Sequence, residues 1–305
     1  MDANPDPGAV AAAARGTPFD LADDDAYRRW RDRKLAGYPE TVDGLVVELR
    51  DMEQPSSAER GALLARLRKT NMVVYHCPLT EHRVALLGFA GQFGLIHPDR
   101  NPAADGEGLS AIRVNDRPHA GEFIPYTDRA LRWHTDGYYN PPERRIRAFL
   151  LHCVWPAAEG GVNALLDPEL LYVRLRDEDP ALVAALMHPE AMRVPAHVEN
   201  GVERRPAVHG PVFAFDPDGG TLLMRYTART RSIEWRDDAV TRAAVERVAT
   251  LLAEPPAGTF TLRLEAGMGI LCNNVLHSRS AFVDRPDRPG RLLYRARFRA
   301  RVAGS

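Results

Sequence analysis

Apolar positions recur with two different periods along this chain. The first part carries helical spacing. DDDAYRRWRDRKLAGY predicts a helix anchored by Tyr27, Trp30 and Leu35. SSAERGALLARLRKT predicts a second, with Ser56 and Glu59 spaced as a capping box and Leu63, Leu64 and Leu67 on one face. NMVVYH is a short β-prone run. TEHRVALLGFAGQFG predicts a third helix, with Thr80 at its N-cap and Gly91 near its end. From about residue 110 to 165 the texture changes to short apolar segments broken by Pro, Gly and Asn: AIRVN, EFIPYT, RWHTDGYY, AFLLHCVW and GGVNALLD. That is the pattern of β structure with turns. Residues 167–186 and 237–254 predict helices, the latter with apolar positions at 240, 244, 248 and 251. Strands return at TFTLRL, GILCNNVLH and RLLYRARFRARV.

Helices, then strands, then a helical stretch, then strands again imply one α+β domain over residues 19–305, its β core assembled from two separated halves of the chain. Residues 1–18, rich in Ala, Pro, Gly and Asp, predict a disordered start.

Composition narrows the function classes. The net charge of the 305 residues is -1, which argues against a dedicated nucleic-acid binder. Cys77, Cys153 and Cys272 are too few and too scattered for a disulfide framework or a zinc finger, and imply a reducing compartment. No run approaches the roughly 18 apolar residues of a membrane span, and the acidic N-terminus is unlike a secretory signal. The expectation is a cytoplasmic protein acting on a small molecule, with no membrane partner.

RWHTDGYY carries the candidate chemistry. In a strand, residues two apart share a face, so His134 and Asp136 would project together. An imidazole and a carboxylate so placed can take two neighbouring positions on a metal and need a third ligand from elsewhere. Of the ten histidines, His277 stands out, ending the apolar run GILCNNVLH. Two His and one carboxylate form the facial triad of non-haem Fe(II) oxygenases, which leaves positions open for a co-substrate and dioxygen. In RLLYRARFRARV the odd positions are mostly Arg and the even ones apolar. A guanidinium on such a strand could grip a carboxylate through two parallel hydrogen bonds.

HTD, a downstream GG pair (Gly160 and Gly161), NNVLHSRSAF and an Arg-bearing strand together resemble the TauD/TfdA group of Fe(II)/2-oxoglutarate-dependent dioxygenases, which includes taurine, γ-butyrobetaine and clavaminate synthase-like enzymes. The resemblance runs from about residue 70 to 300. It implies a double-stranded β-helix, or jelly roll, with flanking helices and a helical insertion at about 166–258. His134, Asp136 and His277 would be the catalytic iron ligands. Arg291, 14 residues after His277, would bind the distal carboxylate of 2-oxoglutarate, and Arg295 would lie near the co-substrate or an anionic substrate group; the two roles could be exchanged. Asn163 stands where the family usually has Thr or Ser helping to hold 2-oxoglutarate, and its amide can still donate a hydrogen bond. Asp136 excludes the halogenase variant of the site. The reaction implied is oxidative decarboxylation of 2-oxoglutarate to succinate and carbon dioxide with O2, coupled to oxidation, by default hydroxylation, of a C–H bond in a small polar, anionic metabolite. A homo-oligomer is common in such families.

Other residues are weighed against plainer roles. Trp133, Tyr138 and Tyr139 could line a substrate pocket or pack the sheet, with Tyr138 favoured by parity with His134. Arg225, Arg229, Arg231 and Arg236 could be solvated surface or a substrate-guiding lid. Arg297, Arg299 and Arg301 are expected to run out to solvent or a partner subunit, because a small cavity cannot desolvate five guanidiniums. His76, His82, His97, His119, His152, His188, His197 and His209 are expected to be structural or exposed, with His152 in the core and His209 as a marginal candidate for the site mouth. Cys272 is expected to be a small core residue. Two rival functions remain at this level: a redox-silent metal lyase or isomerase on a cupin-like barrel, and a ligand-binding relative without turnover.

Overall fold

The capping box forms as its spacing predicts. The Ser56 hydroxyl accepts from the Glu59 amide, and the Glu59 carboxylate accepts from the Ser56 amide at 2.7 Å. The helix Ser57–Thr70 follows, and it ends at Asn71 in the left-handed conformation (φ 59°). Leu63 and Leu67 are buried on its inner face. Lacking a side chain that clashes with φ > 0 as a branched residue would, asparagine is a natural stop here.

The computed structural model describes residues 14–78, 83–100, 105–114, 124–229, 233–287 and 289–305. Thr80, His82, His119, Arg231 and residues 1–13 lie outside the described residues. Two compact units divide the chain.

The unit made of Pro39–Asp136, Ile146–Asp167 and Gly258–Ser305 holds the β core. Its larger sheet has six strands in the order Val46–Glu48, Met72–His76, Met268–Cys272, Ala148–Trp155, Leu292–Phe298, Leu109–Ile112. Its smaller sheet runs Thr259–Arg263, Val162–Leu166, Leu276–Arg279, Leu131–His134. Early and late strands alternate throughout the smaller sheet and from Met72–His76 onward in the larger one, so the core does draw on two distant halves of the chain. One face of the larger sheet packs under the helices Ser57–Thr70 and Arg83–Gly91 through Leu63, Leu67, Phe89, Phe93, Tyr75, Leu150, Leu271 and Phe298. Burying such large side chains contributes about 1.5–3 kcal/mol each. The opposite face carries Phe149, whose ring lies 4.8 Å from that of His277 on the smaller sheet. His152 is a core histidine, its Nδ1 3.1 Å from the Tyr75 hydroxyl. His76 is exposed and paired with Glu48.

The second unit comprises the described part of residues 1–38 with Gly137–Arg145 and Pro168–Ala257. The helices Asp24–Leu35, Pro168–Glu178, Pro180–Leu186 and Ala239–Ala253 lie in it with short antiparallel strands. Phe19 meets Trp30 and Tyr172 edge-on, at 5.2 and 5.6 Å. His209 is exposed and paired with Glu190.

Several sequence expectations shift. Leu35 is 43% exposed, and Tyr27 and Lys34 are the buried residues of its helix; a salt bridge to Glu169 lets Lys34 sit inside. Ala244 and Val248 are buried as predicted, but at the two ends Thr241 and Leu252 complete the buried stripe in place of Val240, which is exposed, and Leu251. In EFIPYT the described residues Ile124–Tyr126 form a 3-10 turn rather than a strand. Arg225 is not solvated surface. It is buried, and its guanidinium donates to the carbonyls of Tyr138, Met192, Val208 and Gly210.

Candidate metal centre

His134 and His277 are directly opposed across the antiparallel pair Leu131–His134 and Leu276–Arg279, and their ring centroids are 4.1 Å apart. The strand pairing therefore sets the two imidazoles side by side. Each ring is oriented by its own chain: Nδ1 of His134 lies 2.9 Å from the Arg132 carbonyl, and Nδ1 of His277 lies 3.0 Å from the Val275 carbonyl. A carbonyl only accepts, so both Nδ1 atoms carry the proton and both Nε2 lone pairs are left for another partner. Burial, and in second place the neighbouring His277, pushes His134 down to about 3. Burial likewise lowers His277. Both rings are neutral at physiological pH, the form a metal binds.

Asp136 completes the cluster by a different route from the one its spacing suggested. The strand ends at His134, and Asp136 opens the turn closed by the Asn140 amide donating to the Gly137 carbonyl at 2.8 Å. Strand parity therefore does not place it. Its Oδ1 is 3.8 Å from His134 Nε2 and 3.1 Å from Arg295 Nη1, while its Oδ2 is buried without a hydrogen-bond partner among the described residues. Burial opposes its ionisation, but Arg295 and then Arg297 outweigh that and hold the carboxyl well below the usual range. One ligand atom from each of His134, Asp136 and His277 lies within 4.8 Å of the others. Two neutral imidazoles with free Nε2 atoms and one ionised, orphaned carboxylate oxygen fit a divalent iron of the facial-triad type.

The Arg-bearing strand Leu292–Phe298 is buried along its whole length, so Arg297 does not reach solvent as expected, whereas Arg299 just beyond the strand does, and Arg301 is half-buried and donates to Asn71 Oδ1 at 2.6 Å. Arg297 pairs with buried Asp99 at 2.9 Å, a partner that sequence reasoning missed because it lies almost 200 positions away. Arg299 is half-exposed and shares Asp99 at 3.5 Å. Arg295 commits one nitrogen to Asp136. Arg291 is buried, its guanidinium 5.1 Å from the Phe282 ring, and Nη1 has no hydrogen-bond partner among the described residues. Burial lowers it to about 10, so it keeps its charge. A β-bulge at Leu292/Leu293 breaks the simple parity between Arg291 and Arg295.

Gly160 and Gly161 adopt φ of 71° and 66°, and a Cβ on Gly161 would come within 3.5 Å of Arg291 Nε. The positive φ of both residues, and the Ala281 carbonyl that would lie 2.2 Å from a Cβ on Gly160, are what call for glycine here. Asn163 is buried, with Nδ2 3.4 Å from the Gly161 carbonyl. Trp133 is half-buried on the His134 strand. Tyr138 lies in the turn beyond the strand, in the other compact unit, its ring edge-on to Tyr139 at 5.2 Å; its parity argument lapses with the strand. Cys272 is in the core as expected. Sequence reasoning also missed Asn274, whose side chain grips the backbone of Asp136.

The family model described as taurine catabolism dioxygenase TauD, TfdA family matches residues 31–297. A uridine-5'-phosphate dioxygenase from Streptomyces sp is 31% identical over 176 residues, 56% of this chain and 62% of that protein, so the match spans less than two thirds of the relative. Among solved structures, an asparagine oxygenase bound to Fe(II), 3-hydroxyasparagine and succinate is 20% identical with a TM-score of 0.56, covering 95% of this chain and 87% of the other. The PvcB protein from Pseudomonas aeruginosa is 15% identical with a TM-score of 0.59, covering 86% and 87%. The fold is that of these proteins, a double-stranded β-helix core with flanking helices. Among the described residues no helix is long and apolar enough to cross a membrane.

Proposed function

Because the chain belongs to the TauD/TfdA dioxygenase family, with the match running from residue 31 to 297, we propose that it is an Fe(II)- and 2-oxoglutarate-dependent oxygenase with His134, Asp136 and His277 as its iron ligands. The observation that carries this is the donor set: two Nε2 atoms left free by backbone-tied Nδ1 atoms, and a buried Asp136 Oδ2 without a partner. Iron with 2-oxoglutarate and O2 supplies the oxidising power, with succinate and carbon dioxide as by-products.

The chain's own residues do the positioning. The paired strands hold the two imidazoles, and Arg295 keeps Asp136 ionised. Arg291 is the anchor for the distal carboxylate of 2-oxoglutarate, since its buried Nη1 has no hydrogen-bond partner among the described residues. Leaving such a donor unsatisfied costs about 1–3 kcal/mol, and a carboxylate would remove that penalty. Asn163, beside Gly161 and buried, is a second polar contact for the co-substrate. Trp133, half-buried on the strand that carries His134, is a candidate for lining the substrate site, and residues 168–257 are the insertion between the two halves of the β core.

For the substrate, we take a small anionic metabolite, with a nucleoside 5'-phosphate as the first class to test. That choice rests on the name of the 31% identical relative. Amino acids come second, because the oxygenases that carry them resemble this chain in fold alone.

The test is an anaerobic titration with Fe(II) and 2-oxoglutarate, watched for the weak visible charge-transfer band, with His134→Ala as control. A band that appears in the wild type and vanishes in the variant supports the site. Full activity with zinc and no need for 2-oxoglutarate would sink the reading in favour of a redox-silent metal enzyme. Succinate release is then compared with uridine 5'-phosphate, other nucleotides, and free asparagine and arginine.

A further inference from the structure

We propose that Asn274 is the positioning residue of the metal centre, fixing Asp136 through its backbone. The proposal rests on the reading of His134, Asp136 and His277 as metal ligands. The need for such a residue follows from the fold. His134 and His277 are set by strand pairing, but Asp136 lies beyond the end of its strand, where no ladder hydrogen bond holds it.

Asn274 replaces the missing ladder. Its Oδ1 accepts from the Asp136 amide at 2.8 Å, and its Nδ2 donates to the Asp136 carbonyl at 3.0 Å. The carboxamide thus pairs with the backbone of Asp136 as a neighbouring strand would. The second Nδ2 hydrogen goes to the Ile146 carbonyl at 2.8 Å, the first residue after the excursion Gly137–Arg145 into the other unit. Both ends of that excursion are therefore held by one side chain. Asn274 is 7% exposed and sits in the left-handed region (φ 49°), where asparagine is among the few non-glycine residues at ease.

The same turn serves the third ligand. One residue on, the Val275 carbonyl accepts from Nδ1 of His277. A single break in the run GILCNNVLH orients His277 with a main-chain oxygen and Asp136 with a side-chain amide. Arg295 then acts on the carboxylate itself, leaving Oδ2 for the metal. Groups that orient metal ligands without touching the metal typically matter 10–100-fold in affinity.

The test uses the metal-free protein and Co(II), followed by its visible absorption, so that the readout is metal affinity and not turnover. Asn274→Gly removes the amide while keeping the left-handed backbone unstrained. Asn274→Asp keeps the acceptor, loses both donors and sets a charge against two carbonyls. Wild type must first bind Co(II) and lose it in His134→Ala; failure there defeats the metal-site reading itself. Given that binding, both Asn274 variants are expected to bind about 10–100-fold more weakly. The cycle with Asp136→Ala separates positioning from general support. If Asn274 acts through Asp136, Asn274→Gly changes nothing further in the Asp136→Ala background. Affinity per folded molecule within twofold of wild type in the Asn274 variants, or an equal loss in both backgrounds, overturns the proposal. Should the glycine variant not fold, the aspartate variant is judged by the same two criteria.

Discussion

Arg295 Nη1 lies 3.1 Å from Asp136 Oδ1, and both side chains are buried. The pair divides the carboxylate: Oδ1 is occupied by the guanidinium, and Oδ2 is buried without a hydrogen-bond partner among the described residues. An arginine that the family resemblance assigns to the co-substrate or substrate thus also holds the Asp136 carboxylate in its ionised form. The other nitrogens of Arg295 remain available for further contacts.

Removing that guanidinium should make stability depend on pH in a definite sense. The folded-state pKa of Asp136 is depressed by Arg295, so its contribution is present above the unfolded carboxylate range near 4 and is lost as pH falls toward the lower folded value. Arg295→Met strands a buried charge, and burial then raises the pKa instead. In the metal-free protein the expected loss is about 3–5 kcal/mol at pH 7. The loss shrinks as acid protonates Asp136 in both states. Urea unfolding at pH 7, 5 and 4 measures this, and a loss that does not vary with pH would argue against the pairing as the cause.

Arg291 offers the opposite case, a buried cation with a nitrogen to spare. Arg291→Gln should raise the KM for 2-oxoglutarate by roughly 10- to 150-fold, the equivalent of one charged hydrogen bond at about 1.5–3 kcal/mol. Arg291→Lys should restore only part of this, since an ammonium cannot form the two-pronged contact. Succinate release as a function of 2-oxoglutarate concentration decides it. An unchanged KM in the glutamine variant would move the anchor elsewhere.

Most of the metal cluster was legible in the sequence, for reasons of differing quality. His134 and His277 follow from strand pairing, which periodicity anticipates. Asp136 does fall beside the two histidines, but not through the strand parity invoked for it, because the strand ends two residues before it. The device that compensates, Asn274, was hidden inside a run read as one continuous strand; its paired asparagines were the available signal, since asparagine favours turns over strand interiors. Arg297 was sent to solvent because five arginines cannot share a small cavity. The argument failed because the cation is neutralised by Asp99, and a contact across such sequence separation leaves no trace in local pattern. Individual helix positions erred by one at Leu35, where the neighbouring Lys34 is buried with a salt bridge to Glu169, and at Val240, where Thr241 is buried instead.

The cysteines should be silent until the chain unfolds. All three are free and buried, and burial pushes Cys153 and Cys272 up to about 12. At pH 8 only roughly one in ten thousand of either would be thiolate, the reactive form, even before access is considered. Iodoacetamide followed by mass spectrometry should find both unlabelled in the native protein, and all three labelled in concentrated urea. Rapid native labelling of Cys272 would place it outside the core assigned here.

The glycine pair makes the sharpest steric prediction. A Cβ on Gly160 would lie 2.2 Å from the Ala281 carbonyl oxygen, and the residue already sits at φ 71°. Both the backbone conformation and the close approach oppose any side chain, and the obstructing atom is main chain that cannot swing aside. Gly160→Ala should therefore cost at least about 1–3 kcal/mol in urea unfolding. Gly161→Ala faces ordinary contact distances, the nearest being Arg291 Nε at 3.5 Å, so its cost is limited to the positive φ. Any further effect should appear in the KM for 2-oxoglutarate, because the methyl would touch the side chain proposed to bind it. Equal destabilisation by the two variants with no change in that KM would detach the glycine pair from co-substrate binding and leave it a purely structural turn.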